Sequence, residues 1–153
     1  MARRQSNKHQ FDVNSVPIGL TISDDSIFAP SADNVQTGFR RAELIPASND
    51  GADASTTGLK TLHFSLSKDP LRPLNLSHEY QLVFLESADF STNQVVLKTG
   101  TLLDGAAAAA AADPDSLMVF GNVNEAAPGL LFSTAFTEGV VHNFGVVLDF
   151  DGL

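Results

Sequence analysis

"GLKTLHFSLS", residues 58–67, alternates without a break: Leu59, Thr61, His63 and Ser65 fall on one side, and Lys60, Leu62, Phe64 and Leu66 on the other. A period of two marks a strand whose two faces meet different surroundings. The same reading extends outward along the chain. "EYQLVFLES" (79–87) is a strand with apolar side chains on both faces, which points to a central place in its sheet. "NQVVLKTGTLL", "DSLMVFGNV", "GLLFSTAF" and "HNFGVVLDF" follow at the spacing of a sandwich or barrel. Upstream, "QTGFRRAELI" reads as a strand closed by Pro46 and a polar loop, and "GLTISDDSIFAP" as a short strand around Leu20 to Ile22 before a turn. "KDPLRPLNLS" holds two prolines and is a connection between strands. No stretch sustains a helical period. The alanine run from Ala106 to Ala112 is too short for an independent helix, so residues 104–115 read as a loop insertion. The fold class is therefore all-β.

At 153 residues the chain fits one domain with a core of ordinary size. Its 18 acidic and 9 basic side chains leave a net charge of -9, which argues against a nucleic-acid partner, since phosphates require clustered Lys and Arg. The basic cluster "MARRQSNK" lies in residues 1–17, a segment expected to be flexible, with the folded domain at 18–153. Arg3, Arg4 and Lys8 resemble the start of a secretory signal, yet no apolar stretch follows them. No segment has the length and apolarity of a membrane span, so no membrane partner is expected. The chain has no cysteine, which removes disulfides, thiolate metal sites and cysteine nucleophiles. Asn75-Leu76-Ser77 is a glycosylation sequon, a tripeptide that also arises by chance.

The chemistry gathers in "NVQTGFRRAELIPAS", residues 34–48. Read as a strand, it puts Thr37, Phe39, Arg41 and Glu43 on one face, and Gly38, Arg40, Ala42 and Leu44 on the other. An Arg-x-Glu pair on one face is either a solvated ion pair or the floor of a polar groove. His63 stands on the next strand, and His78, Glu79, Tyr80 and Glu86 on or near the one after. Consecutive antiparallel strands are often neighbours, so one polar face could collect Glu43, His63 and a later glutamate. Glycoside hydrolysis requires such a carboxyl pair. Decoration of a solvated face is the alternative.

"TGFRRAELIPAS", "TTGLKTLHFSLSKDPLRPLNLSHEYQLVFLESADFSTNQVVLKTGTL" and "HNFGVVLDFDG" closely resemble the catalytic domain of fungal glycoside hydrolase family 131, from about Leu20 to the C-terminus. The resemblance implies a β-jelly roll with two catalytic glutamates in an open cleft. It also implies a broad β-glucanase acting on β-1,3, β-1,6 and β-1,4 glucosidic bonds, extracellular, with β-glucan as its partner and neither cofactor nor metal. The "R-x-E-L" strand is also similar to alginate-lyase-type polysaccharide lyases. Family domains extend further at both ends, so unpaired strand edges and self-association are expected here.

Glu43 of "RRAEL" is the first position the resemblance carries over, and "SHEYQLVFLES" offers Glu79 or Glu86 as the second catalytic glutamate. Seven residues apart on a straight strand, these two point to opposite faces, with Glu86 beside His78 and Tyr80. Arg41, on the face of Glu43, favours an ionised carboxylate and so a base or nucleophile, which leaves the second glutamate as general acid. A carboxyl separation of about 5–5.5 Å indicates retention and roughly 6.5–9.5 Å inversion. Arg41, His63, His78 and Tyr80 are the candidate substrate contacts. The competing readings are a glucan-binding module or degenerate homologue without turnover, and a lyase using His63 and Tyr80. A single Tyr and the absence of Trp leave little aromatic surface for sugar stacking.

Overall fold

The computed structural model describes residues 15–46, 54–103, 113–122, 124 and 129–151. The alanine run and the basic N-terminal cluster lie outside these residues. The protein is all-β, as its alternation predicts, and the helical turns among the described residues are two short 3-10 segments. Eight strands follow in chain order: β1 (Ile27–Ser31), β2 (Asn34–Arg40), β3 (Leu59–Leu66), β4 (Glu79–Glu86), β5 (Asn93–Gly100), β6 (Ser116–Phe120), β7 (Leu130–Ala135) and β8 (His142–Asp149). The strands pair as β1-β2, as β3-β8, and as a four-stranded sheet in the order β4-β5-β6-β7. Two compact units result, one of residues 1–64 with 143–153 and one of residues 65–142.

In the first unit, the strand expected around Leu20 to Ile22 does not form, and β1 begins only at Ile27. Ser23 and Ser26 explain the shift. Ser26 Oγ accepts from the Ser23 N–H at 2.8 Å and Ser23 Oγ accepts from the Asp25 N–H at 3.2 Å. This reciprocal cap commits the chain to a 3-10 turn over Asp24–Ser26. β1 then turns back through Ala32 and Asp33 into β2, with two register irregularities along the pair. Phe28 and Phe39 meet edge to face at 5.5 Å, and Arg40 reaches back to Asp24. In the other pair, Phe64 stacks on Phe144 with ring centroids 5.1 Å apart. At the opposite end Gly58 O accepts from the Phe150 N–H at 3.1 Å, and the Gly58 N–H donates to Asp151 Oδ1 at 3.1 Å.

The second unit is built around β5 and β6. Val96, Leu102, Met118 and Phe120 form the core, with Phe84 and Leu130 packed against them. Leu97, Thr99 and Leu117 are buried as well, so both faces of β5 and β6 are covered. The strand expected to be central, β4, is instead at the edge of this sheet. Its two apolar faces have a different origin. Gln81 pairs with Lys98 and Val83 with Leu97, leaving Leu82 as an extra residue in the ladder. Such a bulge reverses the alternation beyond it. Gly100 closes β5 with φ of +88°, and a Cβ there would lie 1.9 Å from the His78 carbonyl oxygen.

Candidate functional site

β2 ends at Arg40, so Arg41 and Glu43 stand on the segment that leaves the hairpin and not within a strand. Their place is fixed by other means. The Arg41 N–H donates to Ser26 O at 2.8 Å, and its guanidinium lies 5.6 Å from the centre of the Phe28 ring. The Arg41 guanidinium pairs with Glu43 Oε1 at 2.8 Å, both side chains remaining partly exposed at 35% and 28%. The Arg-x-Glu unit is thus an ion pair whose carboxylate solvent and ligands can still reach.

His63 occupies the exposed side of the alternation of β3, with Leu59 and Thr61. Across from it in β8 is Gly145, and a Cβ at that glycine would come within 3.3 Å of His63 Cε1 and 3.4 Å of Nδ1. A strand-interior glycine costs some stability and here leaves room for the imidazole to lie close to the backbone. The expectation that β2, β3 and β4 pair as consecutive neighbours is corrected: their ladder partners are β1, β8 and β5. Sheets closed by strands remote in sequence are usual among Greek-key and jelly-roll arrangements.

Glu79 opens β4 and is held on every side. Lys98 Nζ lies 2.9 Å from Oε1, with side chains only 15% and 9% exposed for Lys98 and Glu79. The Leu103 N–H donates to Oε2 at 2.9 Å, and the Gln81 amide reaches Oε1 at 3.4 Å. Burial pushes the Glu79 carboxyl up, but the Leu103 N–H, the Lys98 ammonium and the Gln81 amide together outweigh it and hold the group below the ordinary glutamate range. Lys98 also lies 5.9 Å from the centre of the Phe120 ring, which ties the pair to the core.

The bulge at Leu82 corrects the expectation that Glu79 and Glu86 face opposite ways. Counted along β4, Glu79, Gln81, Phe84 and Glu86 then share the face of Val96 and Lys98, and Tyr80, Val83 and Leu85 the other, while a second irregularity on the β5 side lets Glu86 pair with Asn93. Glu86 pairs in register with Asn93 and makes no ion pair among the described residues. Tyr80 does not share its face. Its hydroxyl instead accepts from the Asn75 N–H at 3.1 Å. His78 is exposed, while its backbone is bound at both ends, to Asn75 O at 3.0 Å and to the Thr101 N–H at 3.1 Å.

Sequence reasoning missed Lys98, whose signal was a lone cation in the apolar run "VVLKTG". It also missed a second cationic cluster. Lys68 pairs with Asp115 at 2.6 Å and stands 5.1 Å from the Phe136 ring, which His142 meets edge to face at 5.5 Å. His142 Nε2 is buried and has no hydrogen-bond partner among the described residues. Among the described residues no cluster of three His, Asp or Glu side chains is arranged to hold a metal ion.

The described residues thus form antiparallel β-sheets that carry two carboxylate–cation pairs, the accessible Arg41–Glu43 and the enclosed Lys98–Glu79. The family model described as the glycoside hydrolase 131 catalytic N-terminal domain matches residues 2–153, and the chain belongs to that family. No curated protein matches the chain.

Proposed function

We propose that this member of a glycoside hydrolase family is an extracellular β-glucanase, cleaving β-1,3, β-1,6 and β-1,4 glucosidic bonds through carboxylate catalysis. The observation that carries the proposal is the family match over residues 2–153, to which the accessible Glu43 adds a chemically competent group. Glu43 acts as the base or nucleophile, with Arg41 holding it in place. The general acid must arrive protonated and deliver its proton to the glycosidic oxygen as the C1–O bond breaks. Glu79 suits that role poorly, because Lys98 and the Leu103 N–H favour its ionised form. Glu86, the other glutamate of "SHEYQLVFLES", is therefore proposed as the second catalytic carboxyl. Arg41, His63 and His78 supply hydrogen-bond donors for sugar hydroxyls.

The test is proton NMR of the anomeric products released from laminarin, pustulan and cello-oligosaccharides. An initial product with retained or inverted configuration, lost in both Glu43→Gln and Glu86→Gln, supports the assignment. Binding without any product marks a glucan-binding module, and unsaturated product from a uronan marks a lyase.

A further inference from the structure

We infer that Asn75 is a site of N-linked glycosylation, an inference that rests on the extracellular reading. Asn75-Leu76-Ser77 is the chain's one Asn-x-Ser/Thr sequon, and both Asn75 and Ser77 are exposed. A sequon is a weak signal by itself. Its setting strengthens it. Ser77 Oγ donates to Asn75 Oδ1 at 2.8 Å, and the Ser77 N–H donates to the same oxygen at 3.2 Å. This turn occupies the carbonyl oxygen of the side-chain amide, while Nδ2 donates no hydrogen bond among the described residues. The nitrogen that would carry the sugar therefore belongs to an exposed residue and is uncommitted among the described residues.

The backbone below is held from several directions, so the side chain projects from a fixed platform. Tyr80 Oη accepts from the Asn75 N–H at 3.1 Å, and Asn75 O accepts from the His78 N–H at 3.0 Å. Leu76 O accepts from the Thr101 hydroxyl at 2.8 Å and from the Thr101 N–H at 3.0 Å. None of these bonds uses Nδ2.

The donor required is an oligosaccharide linked to a lipid pyrophosphate, used by a secretory-pathway transferase. Asn75 Nδ2 attacks C1 of the first sugar, forming the N–C1 bond. The C1–O bond to phosphate breaks and the lipid pyrophosphate leaves with the electron pair. One amide proton passes to a base of the transferase.

The full chain, directed into the secretory pathway of a yeast by an added leader, is purified from medium and cells and measured by intact mass before and after peptide N-glycosidase. The leader makes the result independent of whether the natural protein is secreted. The expected result is a wild-type chain heavier by one N-glycan that the enzyme removes. Asn75→Asp and Ser77→Ala lose it, and Ser77→Thr keeps it. Asn75→Asp retains the oxygen that accepts from Ser77, so its circular dichroism should match wild type, separating loss of the glycan from loss of the fold. Wild-type protein of unmodified mass in both medium and cells overturns the inference, as does a glycan that persists in Asn75→Asp.

Discussion

Glu43 and Glu79 each pair with a cation, but their partners stabilise different things. The Arg41–Glu43 pair is partly exposed, and such pairs contribute little to stability. Glu43→Gln should therefore change unfolding free energy by no more than about 0.5 kcal/mol in urea titrations. Activity on glucan should fall by about 100- to 10,000-fold, the usual worth of a lost proton-transfer group. Glu79→Gln should behave in the opposite way. It leaves the enclosed Lys98 without its countercharge, at a cost of about 1–3 kcal/mol. The pH dependence carries the sign. A carboxyl held below its ordinary value contributes stability that is complete above the unfolded pKa of about 4.3 and is lost as pH falls through the folded value. The stability gap between wild type and Glu79→Gln should thus be full near neutrality and shrink in acid. A gap independent of pH would contradict the charge argument. Sequence could nominate these glutamates by residue type, but could not rank them. The group that separates them, Lys98, stands on a neighbouring strand and is brought to Glu79 only by the β4–β5 register.

At the level of elements, β3 and β5 to β8 were legible, because their alternation or apolar runs survive as regular ladders. β1 was not. The apolar residues Leu20 and Ile22 imitate a strand, while the serine cap that diverts the chain depends on hydrogen bonds that no periodicity reports. The place of β4 at the sheet edge and the shared face of Glu79 and Glu86 were hidden for a related reason. One inserted residue, Leu82, reverses the parity on which the two-residue rule rests. The junction after β5 offers a sharp test. Gly100→Ala would bring a Cβ to 1.9 Å from the His78 carbonyl oxygen, at a positive φ. The expected loss is more than about 2 kcal/mol, measured by thermal and urea unfolding, since strain and overlap with backbone act together. A near-neutral Gly100→Ala would mean that the β4–β5 junction yields easily.

For the whole molecule, charge and apolar exposure oppose each other. β7 has a ladder partner only on one side among the described residues, and Leu131 and Phe132 on it are 68% and 50% exposed. An edge strand with apolar side chains invites pairing with a second chain, whereas a net charge of -9 keeps copies apart. Added salt screens the repulsion and strengthens apolar burial, so sedimentation velocity should register more association at high ionic strength than at low. Replacing Leu131 and Phe132 with lysine should keep the protein monomeric under both conditions, and association unchanged in that variant would locate the contact elsewhere. Hydrolysis of β-glucan through Glu43 is measured by release of reducing ends from laminarin and pustulan by purified wild-type and Glu43→Gln protein with matching circular dichroism. Steady release by wild type and a fall of about 100-fold or more in the variant are expected. Equal release by both proteins would overturn the role of Glu43, and none by either would overturn β-glucan hydrolysis itself.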